Sequence, residues 1–280
     1  MTLIVLRTGF SLLEVAFFFG IPKATCSRTF QVWLQILAAF LEVISPTPSK
    51  EVLIEIEKRF PSSKSFKVSH IIDTSAVNIQ TPSMLSRQSA TYSKYYSANC
   101  AKYLVCLSAG GYISYVSRAY PGRITDTQIC NHGFFEFLKQ SYPQARVLAD
   151  KGFFIHFALA KEGAILILPS HEPSSEKFSE DQIVHTKTVA NERIFIEHVV
   201  GAMKSEFKIL SKKISLKQVD QIDLILKITC GLLNLVHSPF IPQKTKALFD
   251  SSIPCAHELI HNPDFLRDDE RLTTSSSSAH

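Results

Sequence analysis

The chain has 280 residues, 45% of them hydrophobic, and its 30 basic and 25 acidic side chains leave a formal net charge of +5. That length and apolar fraction exclude a disordered chain and allow a sizeable core with room for a small second domain. The modest basic excess permits contact with a polyanion without demanding it.

Residues 3–19 and 23–43 both have helical spacing, and Gly20-Ile21-Pro22 breaks them, with Pro22 suited to start the second helix. This predicts a helix-turn-helix over residues 1–45. Lys23, Thr25, Ser27 and Arg28 would face DNA bases from the start of the second helix, while Val32, Trp33 and Ile36 pack inward. An ordinary helical hairpin is the plainer reading of the same pattern. The apolar stretch FSLLEVAFFFGI contains Glu14 and has only Arg7 as a basic start, which argues against a signal peptide. No uninterrupted apolar run reaches the roughly 18 to 20 residues of a membrane span, so a soluble protein without a membrane partner is expected. The first helix begins almost at the first residue, which allows for a segment upstream.

Residues 46–65 read as a linker: ISPTPSKEV leads to a short charged helix up to Phe60 and a break at Pro61-Ser62-Ser63. From 66 to 236 the pattern is that of a mixed α/β domain. Strands are predicted at 66–73, 102–108 and 112–118, the last two joined by the Ala109-Gly110-Gly111 turn. A helix then runs from Asp126 to Gln140, a strand covers 145–150, a helix 154–161, and AILILP forms a further strand. Residues 170–187 read as a polar loop, followed by helices to about Val236 that include an amphipathic one over 189–204. Residues 237–280 form a C-terminal extension whose tail, RDDERLTTSSSSAH, has the composition of a disordered segment.

Three acids stand at the edges of these apolar runs. Asp73 and Asp150 would end two buried strands, and the 189–204 helix would turn Glu197 inward. Carboxylates are hard oxygen ligands, and a cluster of them can hold one or two divalent cations that activate water for phosphoryl displacement. Lys204, Lys208 and Lys212 follow at intervals of four. If the helix continues, their ammonium groups lie on one face beside the acids and can meet a phosphate backbone; a solvated charged face is the plainer reading.

Other motifs carry less. His257-Glu258-Leu259-Ile260-His261 matches HExxH, but Pro254 and Pro263 confine it to about two helical turns, and Arg267 stands where a third His would be needed. Six cysteines with no CxxC pair argue against a zinc ribbon or a disulfide framework. Cys130-Asn131-His132 lacks spaced metal partners, and no GxGxxG or Walker pattern implies a nucleotide cofactor.

In chain order, IIDTS, CLSAGGYISYVS, PGRITD, LADKGF and RIFIEHVVGAMK resemble the successive motifs of PIF/Harbinger-type DDE transposases, and the spacing of 47 between the last two acids (197 minus 150) agrees with that family. The resemblance implies an RNase H-like mixed sheet with flanking helices, preceded by a helix-turn-helix domain. It gives Asp73, Asp150 and Glu197 the catalytic and metal-ligating roles, with magnesium or manganese as cofactor, and places Asp126 outside the triad. It also implies DNA as substrate, strand transfer after hydrolysis, a nuclear location, a Myb-like partner protein and possible oligomers. This chain departs from the pattern after the first acid, where Thr74, Ser75 and Ala76 replace a segment that usually ends in an acid. It departs again at His198 and Ala202, where the family commonly has Arg. Those departures motivate a rival expectation, a domesticated relative that binds DNA or protein without cutting.

Overall fold

The frame is set by two long, largely buried runs that pair over nine residues. In the computed structural model, which describes residues 1–45, 68–108, 111–142, 144–169 and 180–236, β1 (His70–Asn78) lies antiparallel to β3 (Ala98–Ser108) from His70↔Ser108 to Asn78↔Cys100. On its other edge β1 pairs in parallel with β6 (Arg146–Leu148), and β6 pairs in parallel with β7 (Ile165–Ile167). Three short strands, β2 (Tyr92–Ser93), β5 (Tyr120–Pro121) and β4 (Ile113–Val116), follow one another along the free edge of β3. The result is a seven-stranded mixed sheet, in agreement with the mixed α/β expectation.

Strand alternation divides the core in two. Ile71, Val77, Tyr103, Val105 and Leu107 face one cluster, while Ile72, Leu104 and Cys106 face the other. The first face is covered by α1 (Thr2–Thr8), α2 (Leu12–Phe18), α3 (Lys23–Ile44), α8 (Glu180–Glu206) and α9 (Ile222–Val236). Against the second lie α5 (Asp126–Ile129), α6 (Phe135–Ser141) and α7 (His156–Lys161). A further helix, α4 (Leu85–Thr91), joins β1 to β2. The described residues form one compact unit, and no helix among them is long and apolar enough to cross a membrane.

Several elements depart from the expected ones for identifiable reasons. The helix expected over 3–19 is two helices. Gly9 ends α1 in the left-handed region at φ 62°, and a Cβ there would meet Lys212 Cδ at 2.8 Å and the Lys208 backbone at 3.0 Å. Ser11 and Glu14 then form a capping box that restarts the chain as α2. In α3 the inward face was misread. Val32, Trp33 and Ile36 are about half exposed, and Cys26, Phe30, Leu34, Ala38 and Leu41 are buried instead. Both faces of this helix are apolar, so periodicity alone could not choose between them. Leu41 packs so closely on α9 that a Cβ at Gly231 would lie 3.1 Å from its own Cβ.

The long helix expected over Asp126–Gln140 is kinked at His132–Gly133, where Gly133 adopts φ 114°. Conversely, α8 begins at Glu180, inside the stretch read as a loop. Cys26, Cys100, Cys106, Cys130 and Cys230 are buried free thiols. The linker 46–65, the C-terminal extension 237–280 and the HExxH sequence lie outside the described residues.

Candidate active site

Asp73 does not end its strand, as expected, but stands midway along β1. What ends beside it is β6. The parallel register that sets His70 against Val147 and Ile71 against Leu148, carried two residues on, brings Asp73 level with Asp150 just past the last residue of β6. Level residues on adjacent parallel strands point to one side of a sheet, here the side of α8. The notch left where β6 stops is a cavity of about 420 Å³, and Asp73, Asp126, Asp150, Glu197, Lys102 and Arg193 all line it.

Each carboxylate has its own partners. Asp73 accepts a hydrogen bond from the Thr74 backbone N–H at 2.8 Å. Burial pushes its pKa up to about 6, with the negative charges of Asp150 and Asp126 adding to the rise and the Thr74 N–H and Arg193 opposing it. Asp150 accepts from the Lys151 backbone N–H at 2.7 Å and from Arg193 Nη1 at 3.2 Å. The other end of the same guanidinium, Nη2, lies 3.7 Å from Glu197 Oε1. Arg193 therefore bridges the second and third acids.

Glu197 is not turned into the core as expected. Val189, Ile196, Val199 and Met203 form the buried face of α8, and the Glu197 side chain is 56% exposed at the rim of the cavity.

Asp126 was expected outside the cluster, yet it lines the same cavity. It reaches the cavity from the opposite face of the sheet. As the first residue of α5 it follows Thr125, whose side chain caps the helix in a box with Gln128. Its Oδ1 accepts from Lys102 Nζ at 2.7 Å and from Thr74 Oγ1 at 2.9 Å. Lys102, only 11% exposed at its side chain, also donates to the Ile124 carbonyl at 3.2 Å.

Neither Lys102 nor Arg193 was singled out from sequence, although each left a trace. A lone lysine inside the apolar run AKYLVCLS needs a partner if that run is buried, and an arginine four residues before Glu197 on a helix is placed to pair with it.

The three lysines do not share one face. Helix α8 ends at Glu206, Lys208 opens a separate 3-10 turn (Lys208–Leu210), and Lys212 lies over the Phe10 ring at 5.4 Å. Only Lys204 faces the site. It is partly buried, its pKa is lowered by that burial, and the charge of Asp73 opposes the shift. Lys23, Thr25 and Arg28 are exposed at the start of α3 and Ser27 is half-buried, so none of the four is held in the core.

Four carboxylates around one notch are the right donor type for a hard divalent cation. Among the described residues, however, no three acidic, His or Cys side chains stand close enough together to hold one. Instead, three of the four carboxylates are paired with cations: Lys102 engages Asp126, and Arg193 engages Asp150 and Glu197.

Residues 72–234, which contain nearly all of the sheet, the notch and α8, match the DDE superfamily endonuclease family. The match covers more than half the chain, and the protein belongs to that family, a class of transposase-like nucleases. No curated protein and no solved structure matches it.

Proposed function

We propose that this protein is a metal-dependent DNA endonuclease of the PIF/Harbinger type, with an RNase H-like catalytic domain, and that Asp73, Asp150 and Glu197 are its catalytic and metal-ligating triad. The observation that carries this reading is the level placement of Asp73 and Asp150 on one side of the sheet, with Glu197 on the helix that covers that side. Asp126 shares the cavity but approaches from the other face and is neutralised by Lys102 at 2.7 Å, which suits a supporting residue better than a ligand.

Asp73, Asp150 and Glu197 would hold a magnesium or manganese ion once Arg193 releases the last two, and the ion would supply positive charge at the scissile phosphate and lower the pKa of water there. The protein's own residues do the rest. Asp73 would ligate in its ionised form, and burial, which raises its pKa to about 6, makes that form costly until a cation is there. Arg193 offers donors to whichever anions are present: Asp150 and Glu197 in the free protein, a substrate phosphate once those acids are otherwise engaged. Lys204 adds a second cation beside Asp73. In hydrolysis the water oxygen bonds to phosphorus, the bond to the 3′ oxygen breaks, and that oxygen leaves with a proton as a 3′-hydroxyl. In strand transfer, which rests on the family resemblance, such a hydroxyl replaces water as nucleophile at the same site.

Lys23, Thr25, Ser27 and Arg28 read the terminal DNA from the start of α3. A nuclear location, a Myb-like partner and oligomer formation complete the reading by resemblance.

Two observations favour a second reading, that of a relative which binds without cutting. Arg193 already bridges two of the three acids, and Thr74, Ala76, His198 and Ala202 stand where the family pattern has other residues. Both readings meet in one experiment. For the nuclease, manganese or magnesium stabilises the folded wild type by about 2.7 kcal/mol at a free concentration 100 times the dissociation constant, seen as a higher melting temperature, and supports cutting of terminal-repeat DNA. Asp150→Asn loses both effects and keeps DNA binding. DNA binding without a metal response or cutting in the wild type decides for the second reading.

A further inference from the structure

A second and larger cavity, of about 750 Å³, adjoins the carboxylate notch and shares Lys102 with it. Their chemistry is opposite. Four carboxylates line the notch, whereas no carboxylate is among the residues lining the larger cavity, which carries Lys94 and Arg123 with the neutral donors Gln88 and Ser89. Because the Lys102 ammonium is already committed to Asp126 and the Ile124 carbonyl, it serves as a partition. Lys94 and Arg123 are exposed and can meet an anion. Tyr92, 44% exposed, supplies a flat apolar ring on the same wall.

The wall is built in advance. The Arg123 backbone N–H donates to the Ala90 carbonyl at 3.1 Å and its Nη1 to Ser89 Oγ at 3.3 Å, tying the turn after β5 to α4. Asn99 Nδ2 donates to the Gln88 carbonyl at 2.8 Å and to Thr91 Oγ1 at 2.9 Å. Gly122 permits this closeness, since a Cβ there would lie 2.4 Å from the Thr91 carbonyl oxygen.

Cations beside an aromatic ring, without acids, fit a nucleotide whose base has left its stack. A phosphate backbone alone would use the charges but not the ring. We propose that this cavity seats a nucleotide of the substrate strand next to the scissile phosphate, with its phosphate on Arg123 and Lys94 and its base against Tyr92. The proposal rests on the DNA-cutting reading of the adjoining notch and adds to it a subsite for an unpaired base.

The test uses the full chain, without divalent cations, in a fluorescence-anisotropy titration with a labelled single-stranded oligonucleotide and the same sequence as a duplex. The duplex, which α3 would bind in the nuclease reading, serves as the control, and the variants are expected to leave its binding within twofold of wild type. Tyr92→Ala should weaken single-strand binding about tenfold. Arg123→Gln should weaken it too, and should lower the slope of log affinity against log salt by about 0.7. Lys161→Gln, a charge removed from the last turn of α7, should change neither. All three side chains are exposed, and a thermal melt of each variant checks folding. Losses for Tyr92→Ala and Arg123→Gln that are as large on the duplex as on the single strand, or both variants within twofold of wild type on the single strand, overturn the proposal. Because no cutting is needed, a chain that binds in this way but never cleaves DNA with magnesium would refute the nuclease reading and leave the subsite standing.

Discussion

Two acids of the same notch, Asp73 and Asp126, show opposite ways of housing a carboxylate. Asp126 sits at a helix start with Lys102 at 2.7 Å and the Thr74 hydroxyl at 2.9 Å, so its charge is met on the spot. Asp73 stands mid-strand with one backbone donor, Arg193 at a remove, and two like charges nearby. Burial first, with those like charges adding to it, pushes its pKa up to about 6. An acid with a locked counter-ion contributes to the fold. A buried one without such a partner costs stability in the free protein and gains when a cation arrives, so the presence of a fixed counter-ion separates a ligand candidate from a supporting residue where position in the cavity does not.

The sharpest way to break this comparison is to remove the counter-ion of Asp126. Lys102→Met keeps most of the aliphatic volume in the buried strand but takes its paired cation from a carboxylate 28% exposed, leaving it the Thr74 hydroxyl, and breaking such a pair costs on the order of 3 kcal/mol. Denaturant unfolding should show that loss. A variant as stable as wild type would mean that Asp126 is not dependent on Lys102 and that the two acids are not differently housed.

The reverse experiment acts on Asp73 and should have the opposite sign. Its folded pKa, about 6, lies above the ordinary value of 3.8, so the folded state holds a proton that the unfolded chain has released. Stability from this group is therefore full below pH 3.8 and is lost as pH rises through 6. Asp73→Asn removes the titration while its side-chain oxygen can still accept from the Thr74 N–H. Relative to wild type it should be more stable by on the order of 2 kcal/mol at pH 7, with the gain gone near pH 4. A gain that does not change with pH would show that Asp73 does not titrate in this window.

The sequence carried the triad candidates and the mixed sheet because both leave local marks: an acid beside an apolar run, and alternation or helical spacing within it. It did not carry the exact position of Asp73 in its strand, since β1 runs on through Thr74 and Ser75, polar residues that read as a stop. Nor did it carry the face of α3, because Trp33, Ile36 and Phe40 make an apolar stripe as convincing as the buried one. The charges that organise the notch were hidden for a different reason. Lys102 meets Asp126, 24 residues away, through strand pairing and the turn after β5, and Arg193 meets Asp150 across 43 residues. Only its partner Glu197, four residues on, was within reach of helical spacing.

The smallest effect sharpens the comparison at the one residue that touches both acids. Thr74 gives its backbone N–H to Asp73 and its hydroxyl to Asp126. Thr74→Val keeps the β-branched shape and the N–H but deletes the hydroxyl, so Asp126 loses one of two side-chain donors while Asp73 loses nothing directly. A hydrogen bond to a charged acceptor contributes about 1.5 to 3 kcal/mol, and with Lys102 still in place the lower end applies. Thr74→Val should therefore cost about 1.5 kcal/mol at pH 7, and the cost should persist in the Asp73→Asn background, because the two acids are served by different atoms of Thr74. Disappearance of the cost in the double variant would show that Asp73 and Asp126 behave as one coupled pair, and the distinction between ligand and supporting acid would fall with it.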